Sequence, residues 1–275
     1  MRSRPHGVSL GRTTILVVAV LPFLYPFVFL VATALKPLSE FNENSVNLPS
    51  HPTLDNIGAA WSEASLGPAM VHSLVAVGVG VLATVAVSAA GAFWFFLHEG
   101  RSARVLRYVL IGTIALPPPV FIIPLFVLLS DHGATDNLLI LGLVFAGWNA
   151  SFGLYLVYTY FKDLPADVIE AARVDGASLL QLLWRVMLPL SKPVLATLAV
   201  LAFIWSWADL LISIVLVQDP SRRLLTPATA LLSDQYSTDI PKQAAGVLIA
   251  ILPMLFVFLL GQRSLVRGVA AGVGK

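Results

Sequence analysis

Six apolar runs, each approaching or exceeding the ~20 residues that a helix needs to cross a bilayer, dominate the sequence. They fall at Thr14–Leu35, Ser73–Phe96, Tyr108–Leu129, Leu138–Tyr160, Pro193–Val217 and Ala245–Leu260. Inside lipid the backbone must satisfy its own hydrogen bonds, which leaves helices or closed barrels. Barrel strands alternate apolar and polar residues, and these runs do not. The expectation is therefore all-α: a polytopic membrane protein with six transmembrane helices. Only 12% of the 275 residues are charged, against roughly a quarter in average soluble domains. A water-soluble fold of this length has no way to hide so much apolar surface.

Other classes fall away on simple grounds. A formal net charge of +2 is too small to argue for nucleic acid. There is no cysteine, hence no disulfide framework and no thiolate metal site or nucleophile. The five histidines show no ligand spacing, and no metal site is expected. With the N-terminus inside, only Lys36, Arg222, Arg223 and Lys242 of the 17 lysines and arginines fall in outer segments, leaving 13 inside. By the positive-inside rule both termini are expected to be cytoplasmic. The first run has a basic start and an Ala32-Thr33-Ala34 resembling a cleavage site, but it is longer than the ~7–15 residues of a signal-peptide core. It reads as an uncleaved anchor. The expected organisation is a cytoplasmic N-terminus (1–13), a first helix with an extracytoplasmic loop (14–72), a five-helix core (73–262) and a cytoplasmic tail (263–275). The outer loop carries a short helix near Leu54–Glu63.

One polar island interrupts the core, in the cytoplasmic loop 162–192. In "KDLPADVIEAARVDGASLLQ", Pro165 suits the first turn of a helix, and Asp167 and Glu170 favour the positive end of its dipole. Gly176 can take the left-handed conformation that ends a helix. Ser178 and Gln181 fit a capping box that starts another. Pro189 and Pro193 then hand the chain to the fifth run. The reading is a short helix, a sharp turn and a second helix.

The island also resembles a known motif, the EAA loop of permease subunits in binding-protein-dependent ABC importers. The motif stands here as Glu170-Ala171-Ala172, Asp175-Gly176-Ala177 and Pro189-Leu190, with Leu183 where the family commonly has Phe. "NLPSHPTLDNIGAAW", "HSLVAV", "IWSWADLL" and "QRSLVRGVAAGVGK" are similar to further segments of the sugar-type branch, although His72 and Ala208 stand where Asn is usual. The resemblance is to the maltose-type second permease. It implies the ABC importer type I permease fold, in the bacterial inner membrane. It also implies that Glu170, Ala171, Ala172, Asp175, Gly176 and Ala177 form a coupling helix docked on an ATPase. The implied partners are a second permease, an ATPase dimer and an extracytoplasmic solute-binding protein. Because the chain lacks G-x-x-x-x-G-K-[ST], it is expected to bind no cofactor and perform no catalysis. ATP and magnesium then belong on the partner ATPase, and membrane lipid surrounds the spans.

Within the spans, "ALPPPVFIIPL" places Pro117, Pro118 and Pro119 where helix hydrogen bonds would run. A structural kink and a gating role around Pro118 are both open. Asp209 is the only acid within a span, beside Trp205 and Trp207. It reads as a pathway residue or as a structural acid hydrogen-bonded between helices. Trp148, Asn149 and Ser151 read as cavity lining, and the small residues of the second span as close packing. The leading function is half of an alternating-access pathway for a carbohydrate or related solute. The alternative is a self-sufficient secondary transporter driven by an ion gradient, for which Asp209 alone is thin support.

Overall fold

The structure, a computed structural model, describes residues 10–232 and 239–273. Among these residues every regular element is helical. The elements are α1 (Leu10–Ala34), α2 (Leu38–Glu43), α3 (Asp55–Glu63), α4 (Leu66–Leu97), α5 (Arg101–Gly112), α6 (Pro119–Asp131) and α7 (Leu138–Lys162). They continue with α8 (Ala166–Val174), α9 (Leu179–Gln181), α10 (Leu188–Leu190), α11 (Lys192–Trp207), α12 (Leu211–Leu216), α13 (Leu225–Ala230) and α14 (Ile240–Val273). Three helices, α4, α7 and α14, are individually long and apolar enough to cross a membrane. Two bent pairs qualify only as pairs.

The third apolar run, where the prolines pointed to a kink, and the fifth, expected as a single helix, are both broken. Proline supplies the reason at the first break. Pro117–Pro119 cannot donate, and each ring crowds the turn before it. So α5 passes into a 3₁₀ turn at Thr113–Ala115, and Pro118 becomes the cap from which α6 starts. The two arms meet at 101°. In the fifth run α11 ends at Trp207, Ala208–Leu210 leave the helix, and α12 resumes at Leu211.

The chain forms two compact units, Met1–Leu66 with Thr229–Ala250, and Gly67–Ala228 with Ile251–Lys275. In the first, a fully buried lysine organises the outer loop. Lys36 Nζ donates to the carbonyls of Asn44 (2.9 Å) and Asn47 (2.5 Å). The Asn56 amide donates to the carbonyls of Ala34 and Lys36, both at 2.9 Å. The Glu40 carboxylate accepts from the backbone N–H of Ser50 (2.6 Å) and His51 (3.3 Å). The short helix expected near Leu54–Glu63 is present as α3.

In the second unit, α4 and α7 approach through glycine. A Cβ on Gly142 would lie 2.6 Å from the Ala76 carbonyl and 2.8 Å from Val79 Cβ. The side of Gly153 is filled by Ser88 and Leu198. From the second apolar run, a Cβ on Gly80 would lie 3.1 Å from the Gly142 carbonyl, so small residues on both helices admit the neighbouring backbone. Helix α14 joins α11 where Thr197 Oγ1 donates to the Ser264 carbonyl at 2.8 Å.

Candidate coupling and pathway sites

The polar island folds by local rules. Pro165 caps α8 from just outside rather than sitting in its first turn. At the other end Gly176 has φ +78°. The Gly176 N–H bonds the Arg173 carbonyl (3.1 Å), and the Ala177 N–H reaches back to Ala172 (3.0 Å). This paired pattern closes a helix around a left-handed residue. Ser178 then opens α9 with a reciprocal capping box. Its Oγ accepts from Gln181 N–H (3.3 Å), and Gln181 Oε1 accepts from Ser178 N–H (2.8 Å).

What joins this knob to the spans is an apolar core. Ile169 on α8 is buried with Phe161 at the end of α7, with Leu182, Leu183 and Met187, and with Leu198 of α11. Leu183, the departure from the common Phe, is one of these buried contacts. Leu182–Met187 form a π-helical turn between α9 and α10. Pro189 explains it. In an α-helix its ring would strike the Arg185 carbonyl and its missing N–H would leave that carbonyl bare. A wider turn avoids the clash. Sequence reasoning did not single out Ile169, Leu182 or Met187, although their apolar spacing on one face was the available signal.

Glu170, Ala171, Asp175 and Gly176 are exposed, and Ala172 and Ala177 half-buried. Beside them Val174 is 86% exposed and Leu180 65%. These are bare aliphatic side chains on an otherwise polar loop.

The pathway candidates divide. Asn149 is buried, and its Nδ2 donates to Ser206 Oγ at 3.1 Å across the α7–α11 contact. One turn on, Trp205 meets Phe152 edge to face at 5.0 Å. Asp209 lies in the gap between α11 and α12. Its Oδ1 accepts from the Ser213 N–H (2.9 Å) and Oγ (3.0 Å), a bond made within its own segment rather than between helices. Trp207 stacks on Phe203 at 5.2 Å. Pro118 belongs to the other broken run. There Thr113 and Ser151 join their hydroxyls at 2.6 Å.

A loop after α12 is strapped to three elements. Asp136, at φ +56°, accepts with one carboxylate oxygen from the N–H groups of Gln218 (2.6 Å) and Asp219 (2.7 Å). Ser73 Oγ accepts from Leu225 N–H (2.8 Å), and Thr226 Oγ1 donates to the Trp207 carbonyl (2.7 Å).

The described residues thus form an all-α, multi-pass arrangement with broken spans and a capped polar knob. Residues 83–270 match the family described as binding-protein-dependent transport system inner membrane component. The chain belongs to that family and is a permease subunit. It is 27% identical over 251 residues to the diacetylchitobiose uptake system permease protein NgcG of Streptomyces coelicolor, covering 90% of this chain and 83% of that one. It is 26% identical over 251 residues to the melibiose/raffinose/stachyose import permease protein MelC of Bacillus subtilis, covering 91% of each. A chain in the crystal structure of a bacterial ABC transporter involved in the import of the acidic polysaccharide alginate shares the fold. Its TM-score is 0.74 at 23% identity, covering 96% of this chain and 99% of that one.

Proposed function

We propose that this chain is one of two non-identical, maltose-type permeases in an ATP-driven importer of a carbohydrate or related solute. It supplies half of an alternating-access pathway through six spans, with both termini in the cytoplasm. Relatives named for oligosaccharide uptake support the solute class. The bias of basic residues supports the orientation.

The observation that carries the coupling role is the knob itself. Exposed Val174 and Leu180 flank a turn fixed by Gly176 at φ +78°, and Ile169 ties that knob to α7 and α11. An aliphatic surface held rigidly by a buried core suits docking to a second protein and transmission of its movement. The partner is an ATPase dimer, which holds ATP and magnesium. A solute-binding protein delivers cargo outside. Trp205, Asp209, Asn149 and Pro118 are the pathway candidates, Trp205 offering an aromatic face to a sugar ring.

The test is Gly176→Asp. No atom lies within 4 Å of the added Cβ, so the cost comes from the backbone, roughly 1–2 kcal/mol for a side chain held left-handed, and from added charge at the contact. The six spans should still insert. ATPase pull-down and coupled uptake in vesicles should both fall. Wild-type levels of both return the loop to an ordinary connector.

A further inference from the structure

We propose that the outward face of α5 binds one anionic phospholipid of the cytoplasmic leaflet. Its phosphate sits at Arg101 and Ser102, and its chains lie along Val105, Leu106 and Val109. The side depends on the orientation proposed above.

The placement of α5 sets the geometry. Arg107 Nη1 donates to Tyr158 OH at 2.6 Å, and Thr113 meets Ser151. Helix α5 therefore runs antiparallel along the last half of α7, from its Lys162 end towards its middle. Twelve residues span ~18 Å at helical rise, close to the ~15 Å of one leaflet in a ~30 Å hydrocarbon core. The chain then turns by 101° into α6. The α5 rod is thus about as long as one leaflet, with Arg101 at its headgroup end.

The surface has matching chemistry. Arg101, Ser102, Val105, Leu106 and Val109 lie side by side on one open face of the helix. Val105, Leu106 and Val109 are exposed, while Ala103 on the opposite face is buried against Phe95 and Leu154. Nearby, Glu99 pairs with Lys162 and also feels Arg107 and Arg104. Among the described residues no acidic side chain pairs with Arg101. An unmatched cation at one end of an exposed apolar face is complementary to a phosphate carrying acyl chains. The half-exposed Trp94, stacked on His98 at 4.5 Å, sits five residues before Glu99, in the last turn and a half of α4. Tryptophan favours the membrane interface, which places Arg101 at headgroup level.

The experiment uses the whole importer, released from membranes and titrated with phosphatidylglycerol or phosphatidylcholine, with bound lipid counted by native mass spectrometry. Wild type should retain one phosphatidylglycerol per copy of this chain more firmly than phosphatidylcholine. Arg101→Gln should weaken that binding about five-fold, from ~1 kcal/mol per basic residue. Arg101→Lys should keep it. Val105→Gln, which makes the apolar face polar and leaves the charge, should also weaken it. Arg263→Gln should change nothing. Equal retention by Arg101→Gln and wild type overturns the proposal. So does a cross-link from position 102 to the second permease or the ATPase in place of lipid. ATP-driven uptake by these variants is read separately. A complex that transports normally yet ignores phosphatidylglycerol sinks the lipid site and leaves the importer assignment standing.

Discussion

At the scale of single residues, the outer loop offers a direct titration. The Ser50 N–H, first among its partners, holds the Glu40 carboxyl below its ordinary value of 4.5, with the His51 N–H and Lys36 adding to it. A carboxylate whose folded pKa is depressed stabilises the fold above its unfolded value and loses that contribution as pH falls through the folded one. The protection of the Ser50 and His51 amides, measured relative to intrinsic exchange at each pH, should therefore be high at pH 6 and be lost as pH falls below 4.5 and through the lowered folded value. In Glu40→Gln protection should be low at both ends. Equal exchange in the two proteins at pH 6 would remove the carboxylate from the account. Residues whose partners are sequence neighbours were the readable ones. Gly176, Ser178 and Gln181 obey a local grammar, and the structure places each in its expected cap. Asp209 could have been read from Ser213, four residues on. Asp136 could not, because its partners Gln218 and Asp219 stand more than eighty residues away.

Among elements, the two broken spans show how far periodicity reaches. Apolar length located the runs, and Pro117–Pro119 marked one break. Neither could yield the 101° angle, which depends on what α5 and α6 pack against. The break at Ala208–Leu210 carries no proline, so the run read as continuous. The strap after α12 is the element most dependent on one side chain. In Asp136→Ala the N–H groups of Gln218 and Asp219 lose a charged acceptor, each bond being worth about 1.5–3 kcal/mol. Limited proteolysis between Val217 and Leu225 should quicken in reconstituted complexes, while the cleavage pattern at the α8–α9 turn stays as in wild type. Arg222→Ala should do less, since its side chain bonds the Asp136 carbonyl and otherwise makes only a long, exposed ion pair with Asp219 at 3.8 Å. If Asp136→Ala is cut no faster, the remaining ties to Ser73 and Trp207 suffice.

For the whole molecule, the prediction is topological. The natural chain has no cysteine, so single substitutions report without background. Ser45→Cys should react with an impermeant maleimide in intact cells, and Ser264→Cys only after the membrane is opened. The reverse order would overturn the orientation and, with it, the leaflet assigned to α5. The tail expected at 263–275 continues α14 as far as Val273, and its side chains from position 266 onward lie outside the described residues. The π turn at Leu182–Met187 has a further consequence, for how such permeases can diverge. A turn of that width holds one residue more than an α-helix needs. Deleting one residue here would close it into an ordinary helix, in which the Pro189 ring would strike the carbonyl one turn back. A chain one residue shorter at this point would therefore also have to give up Pro189. Length and composition are tied together in this short stretch, and neither can change alone.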